Sequence, residues 1–309
     1  MAYAHAPVML QEAMEFLRPA AHTKYLDGTL GGGGHSEKIL ELSSPDGMVL
    51  GLDWDDDAIA AAERRLERFG DRLVVRRANF RQAGEVLREL GWGRAHGVLL
   101  DLGLSSHHLE SAERGFSFQT EAALDMRMDR RQPLDAAELV NTFSVPELAR
   151  ILREYGEEPR ARQIAAAIEA RRKRGRITQT TELAEIAARA AGKKPSRIHP
   201  ATRTFQAVRI AVNRELENLQ GFLDNGYELL HPQGRMVVIS FHSLEDRLVK
   251  QAFRQWSRSC ICPPKAPICR CGWSQKVKLL TSSPRLPSET EIHHNPRARS
   301  AKLRAVERL

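Results

Sequence analysis

The chain has 309 residues, 42% apolar and 28% charged, the balance of a globular protein long enough to build a full buried core. No stretch approaches the ~18 uncharged apolar residues of a membrane-spanning helix, and no apolar run follows a basic start near the N-terminus. A disordered, secreted or membrane-spanning chain is therefore not expected; a cytoplasmic protein is, and a net charge of +8 favours a polyanionic partner.

In chain order, Lys24-Tyr-Leu26 is a short strand running into glycines, and Ser36 to Leu42 resumes with helical spacing. Gly47 to Asp53 reads as a second strand. Asp55 to Asp57 supply capping oxygens and dipole-compatible charge for a helix through Arg68. Leu73-Val-Val75 and Gly97 to Asp101 are further buried strands, separated by a helix around Ala83 to Leu90. This alternation predicts a mostly parallel sheet covered on both faces. From about Ser106 the pattern becomes helical. Ser144-Val-Pro-Glu147 is a capping box, Pro159 to Lys173 a second helix, and Thr180 a cap for a third. Phe205, Val208, Val212, Leu216, Leu219 and Leu223 trace one stripe of a single long helix. Strand character returns at Arg235 to Ser240, followed by a helix capped by Ser243 with Asp246. Lys276 to Leu280 and Lys302 to Val306 add two last strands. The order predicts an α/β domain (1–105 and 214–309) interrupted by an all-α insertion (106–213).

The turn Asp27-Gly28-Thr-Leu-Gly31-Gly-Gly-Gly34-His35 lies between strand and helix, where open α/β sheets bind ligands. Its spacing is neither the dinucleotide G-x-G-x-x-G nor a phosphate loop ending in G-K-[ST]. Asp53 ends the next strand 19 residues beyond Gly34, close to the offset at which an acid reaches a ribose hydroxyl. A free ribose without phosphate chemistry suits S-adenosylmethionine, whose ammonium group Asp27 is placed to pair. Asp53 is alternatively a helix cap. A nicotinamide oxidoreductase shares the sheet and the acid but needs the missing fingerprint, and a non-catalytic RNA-binding factor leaves both motifs without a task.

Asp101, at the end of the fourth strand, holds the cofactor, or accepts a hydrogen bond from an exocyclic amine, or only caps its turn. His242 is placed to meet a base or to pack as a turn histidine; Glu245 and Arg247 read as helix-surface charges. Gln206, Arg209 and Asn213 share a helix face, as an RNA contact or as an internal hydrogen-bond set. Positive charge is densest at Arg171 to Arg176, at Lys193-Lys194 with Arg197, and from Arg297 to Arg308, as RNA contacts or solvated faces. All four cysteines lie in Cys260-Ile-Cys262-x₆-Cys269-Arg-Cys271, either free thiols or a structural zinc site.

Taken together, His5-Ala-Pro-Val8, the glycine turn, Gly51-Leu-Asp53, Asn79-Phe80, Asp101-Leu-Gly-Leu-Ser-Ser106 and Arg114-Gly-Phe-Ser-Phe118 resemble the bacterial 16S rRNA (cytosine-N4)-methyltransferase family. The collinear match continues through Leu124-Asp-Met-Arg-Met-Asp129, Tyr155-Gly-Glu-Glu158, His199 to Gln206, Ser240 to Arg247 and Asn295 to Ser300. The resemblance implies a class I, Rossmann-like methyltransferase domain with a helical, substrate-recognising insertion. It implies S-adenosylmethionine-dependent methylation of the N4 amine of cytosine 1402 in the small ribosomal subunit. The cofactor residues it implies are Gly33, Gly34, His35, Asp53, Phe80, Asp101 and His108. The family often has Pro-Gln where this chain has His107-His108, and the Asp/Asn-Pro-Pro-aromatic motif of many amino-directed methyltransferases is absent.

Overall fold

The structure, a computed structural model, describes residues 7–104, 111–192, 199–263 and 268–309. The chain divides into two compact units, residues 1–103 with 216–309, and residues 104–215, where the sequence placed the joins at 105/106 and 213/214.

The first unit is built on β1 (Lys24–Asp27), β2 (Met48–Asp53), β3 (Leu73–Arg77), β4 (Ala95–Asp101), β5 (Leu230–Ser240), β6 (Val277–Leu279) and β7 (Lys302–Arg308). They form one sheet in the order β3-β2-β1-β4-β5-β7-β6, parallel through β5, with β7 antiparallel to both neighbours. Strands buried on both faces need continuous apolar runs, and Val98, Leu99 and Leu100 of β4 are all fully buried. Because alternate side chains point to opposite faces, Val98 and Leu100 join one core and Leu99 the other. The first core is closed by α4 (Ala83–Glu89), α10 (Glu215–Leu223) and α11 (Ser243–Trp256) through Leu87, Phe222, Phe253 and Trp256. The second is closed by α1 (Leu10–Leu17), α2 (Gly34–Leu42) and α3 (Asp56–Leu66) through Met14, Leu17, Ile39, Leu40, Ala62 and Leu66.

The second unit holds α5 (Ala136–Thr142), α6 (Val145–Gly156), α7 (Ala161–Arg172), α8 (Thr180–Ala191) and α9 (Ala201–Asn213). The capping box that opens α6 is made in both directions, Ser144 Oγ accepting from Glu147 N and Glu147 Oε2 from Ser144 N. Asn213, buried at the end of α9, accepts from Met128 N at 2.8 Å and donates to Met126 O at 2.8 Å. It thereby fixes the Leu124 to Met128 segment, whose Asp125 makes a two-pronged bond to Arg127.

Several expectations change. The stripe from Phe205 to Leu223 is two helices, broken at Arg214, which takes a left-handed φ of 51°. Apolar spacing runs on across such a break, so periodicity cannot register it. Thr180 is the first residue of α8 rather than its cap; its hydroxyl donates to Thr120 O and accepts from Ala122 N. The helix after β5 is capped one residue earlier than Ser243. His242 has extended φ/ψ, its ring accepts from Glu245 N, and Glu245 answers from the third helical position.

Candidate functional site

The C-terminal ends of β1, β2, β4 and β5 bring Asp27, Asp53, Asp101 and the His242 turn to one edge of the parallel sheet. Two glycines make the turn after β1 possible. A Cβ on Gly28 would lie 2.4 Å from Leu100 Cδ2, so the backbone can pass β4 only without a side chain. Gly33 caps α2 with φ 78°, a left-handed conformation that also faces Leu66. The first bond of α2 runs from Glu37 N to Gly33 O, which leaves the Gly34, His35 and Ser36 amides in the first turn without carbonyls of their own helix.

Asp27 is 1% exposed and accepts from Ser36 Oγ at 2.7 Å and from Thr29 N at 3.2 Å. Burial pushes its carboxyl up to about 6, against the lowering effect of those two donors, and the Asp53 charge adds to the rise. Asp53 is more open. Its Oδ2 accepts from Gly31 N at 2.8 Å, while Oδ1 accepts from Trp54 N and Asp55 N, so it braces the glycine turn across 22 residues. The separate capping role falls to Asp55, whose side chain accepts from Asp57 N.

Asp101 keeps 16% of its side chain at the surface, yet its Oδ1 is sealed and has no hydrogen-bond partner among the described residues. Burial first, then the charges of Asp27, Glu245 and Glu291, hold its carboxyl well above the usual carboxylate range. Thr29 Oγ1 accepts from Asp101 N at 2.6 Å, tying the two strand ends together. His35 is buried, its Nε2 donating to Val8 O at 3.0 Å, and its Nδ1 lies 3.7 Å from Asp101 Oδ2.

Glu245 is 3% exposed, the opposite of the helix-surface charge expected from its place in the sequence. Its Oε2 accepts from Phe241 N and His242 N, and its Oε1 lies 3.1 Å from His242 Nε2. Because His242 Nδ1 is taken by the helix cap, the ring is fixed and Nε2 carries its proton. That nitrogen makes no hydrogen bond of good geometry among the described residues. Phe80, beside the Asn79 capping box, packs edge-on against Phe222 and within reach of Gly28. Glu291 reaches this neighbourhood from the far end of the chain, with Oε1 accepting from Met9 N. Nothing local in the sequence announces it. His107 and His108 lie outside the described residues, as do Lys193, Lys194 and Arg197.

The face formed by Gln206, Arg209 and Asn213 is an internal set. Gln206 donates to Tyr155 O, Arg209 forms two 2.8 Å bonds to Glu215, and Asn213 is consumed as described above. Most of the Arg171 to Arg176 run is likewise engaged. Arg171 pairs with Glu182 and Arg176 with Glu138, while Arg172 donates to Val140 O and Phe143 O. Lys173, Arg174 and Arg176 are exposed.

A seven-stranded sheet in this order, with a glycine turn after its first strand and acids at the next strand ends, defines a class I methyltransferase. The chain belongs to the MraW methylase family, whose description matches residues 2–309. It is 52% identical to "Ribosomal RNA small subunit methyltransferase H" of Syntrophotalea carbinolica, over 99% of this chain and 98% of that relative. Proteins of the same name from Thermomicrobium roseum (52%, covering 99% of this chain and 94% of the relative) and Geobacter sulfurreducens (51%, covering 100% of each) are equally similar.

Proposed function

We infer that this protein transfers the methyl group of S-adenosylmethionine to the N4 amine of a cytosine in 16S rRNA, position 1402, within the small ribosomal subunit in the cytoplasm. The observation that carries the cofactor reading is electrostatic. In a chain of net charge +8, carboxylates converge on one sheet edge: beyond the effect of burial, the charge of Asp53 raises the proton affinity of Asp27, and the charges of Asp27, Glu245 and Glu291 raise that of Asp101. A ligand carrying both a sulfonium and an ammonium charge relieves that repulsion; a dinucleotide's phosphates would add to it.

In this reading Asp27 holds the ammonium group, and Asp53, at the end of the next strand, holds the ribose. Gly33, whose own amide donates to Leu30 O, shapes the turn so that the first-turn amides of Gly34 and His35 receive the carboxylate; Phe80 covers the adenine, and His108 is the family's remaining contact. His35 contributes its backbone, since its ring is committed to Val8. S-adenosylmethionine supplies an already activated methyl group, so the protein's task is to align the amine and remove its proton. Asp101, as carboxylate, accepts the hydrogen bond from N4 and takes the proton released as the C–N bond forms. Its elevated affinity for a proton suits that task. His242, with Nδ1 fixed by the cap, offers Nε2–H to a ring acceptor of the extruded cytosine. The helical unit supplies RNA contacts through Lys173, Arg174 and Arg176, while Arg172 serves the fold.

Mass spectrometry of 16S rRNA from cells with and without the protein tests the reading. The N4-methyl mark at cytosine 1402 should vanish with the gene and return with the wild-type chain. A mark that persists in its absence overturns the proposal.

A further inference from the structure

The segment between α11 and β6, residues 257–276, has among its described residues no regular secondary structure and no buried side chain. Ile261 and Ile268 are exposed. A loop of this length without an apolar core has little to offset the entropy of ordering it, and such loops are held by a staple or left unstructured. Its base is closed by two hydrogen bonds, Lys276 N to Trp256 O at 2.8 Å and Trp273 Nε1 to Arg258 O at 3.1 Å. Trp273 also packs edge-on against Tyr227. All four cysteines gather beyond this base.

The four sulfurs lie within 4.8 Å of one another. Cys260 Sγ is 3.4 Å from Cys269 and 3.7 Å from Cys271, Cys269 is 3.5 Å from Cys271, and Cys262 is 3.9 Å from Cys269. These are too long for disulfides, whose sulfurs sit ~2.05 Å apart, and all four cysteines are free. A zinc ion bonded at ~2.3 Å to four thiolates in tetrahedral geometry sets the sulfurs ~3.8 Å apart, and the observed edges bracket that value. A backbone amide also points into the cluster: Cys262 N donates to Cys260 Sγ at 3.4 Å. Amides turned onto sulfur are the outer shell that a metal-bound thiolate uses to spread its charge. Arg258 and Arg270 in the same loop offset the negative charge left when four thiolates bind one dication.

We propose that Cys260, Cys262, Cys269 and Cys271 bind one structural zinc ion that fixes the loop between α11 and β6. Four sulfur ligands close the coordination sphere, so the ion takes no part in methyl transfer. The site lies outside the residues assigned to cofactor and cytosine, and its success or failure is independent of theirs.

The test uses the full chain, expressed with added zinc and purified under reducing conditions without chelator. Elemental analysis should find about one zinc per chain. Titration of the wild-type thiols with an organomercurial should release it, read by a chromogenic zinc indicator, after about four equivalents, one for each ligand. Loss of metal should expose the Arg258 and Arg270 peptide bonds to trypsin at least tenfold faster, while S-adenosylmethionine binding reports that the sheet remains folded. The double variant Cys260→Ser/Cys271→Ser should carry less than about one-tenth of a zinc per chain. A folded wild-type chain that stays zinc-free after supplementation, iron in place of zinc, or zinc retained when all four cysteines are replaced would each overturn the proposal.

Discussion

The two units treat buried charge in opposite ways. In the helical unit the charged and polar groups are spent on one another: Arg209 on Glu215, Asp125 on Arg127, Asn213 on the Met126 and Met128 backbone, Arg172 on two carbonyls. At the sheet edge of the α/β unit the carboxylates face each other, and Asp101 leaves one oxygen with no partner among the described residues. Paired buried charge is what a scaffold looks like. Buried charge that repels its neighbours costs stability in the free protein and is retained where a ligand of opposite sign relieves it.

The sharpest way to break this contrast is Asp101→Asn. It removes the proton acceptor, and methyl transfer in a single turnover should fall by about 10²-fold or more. The same change removes a repelling charge, so the thermal midpoint at pH 8 should rise. Loss of activity together with loss of stability would place Asp101 among the scaffold residues instead. His242 separates cap from chemistry. His242→Asn keeps a side-chain acceptor for α11, whereas His242→Ala costs about 1 kcal/mol of capping. Both should lower turnover about 10- to 100-fold with cofactor affinity nearly kept, and only the alanine variant should melt earlier.

Asp27 gives the comparison a pH axis. Its carboxyl must be ionised to pair with an ammonium group, so cofactor affinity should drop about tenfold per unit of pH below about 6. Folding stability should run the other way. With the folded value raised from 3.8 to about 6, the native state binds the proton more tightly, and stability falls as pH rises across that window. The change is on the order of 3 kcal/mol. Asp27→Asn should flatten both curves, as read by calorimetry and chemical denaturation.

The smallest effects belong to the basic run of α7. Arg172→Ala should cost roughly 2–3 kcal/mol of stability, because two carbonyls lose a charged donor, and should leave the salt dependence of RNA binding unchanged. Replacing Lys173, Arg174 and Arg176 by Gln should reduce the slope of log affinity against log salt by roughly 2 to 3, with little change in melting. If Arg172→Ala shifts the slope and the triple variant does not, the two sets have exchanged roles.

What the sequence could reveal followed from range. The strand ends carry Asp27, Asp53 and Asp101 because a parallel strand is a short apolar run with a visible stop, and the glycines mark where the backbone turns. Glu245 was hidden by a register error of one residue. With Ser243 as the expected cap it falls on the helix surface; with His242 as the cap it becomes the third helical residue and turns inward. Histidine is an unusual cap, so the usual Ser/Thr signal pointed to the wrong residue. Glu291 and the Val8 contact of His35 are set by tertiary packing alone. Helices α1 and α5, of eight and seven residues, are too short for a 3.6-residue period to stand out.

The central claim is that the carboxylates at the strand ends are ionised by a cationic cofactor. Calorimetric titration of S-adenosylmethionine at pH 6, repeated in buffers of different ionisation enthalpy, counts the protons exchanged on binding. With Asp27 near half-protonation at that pH, the account predicts release of about half a proton or more per cofactor bound, and measurably less from Asp27→Asn. Binding that exchanges no protons, equally tight in the two proteins, would contradict it.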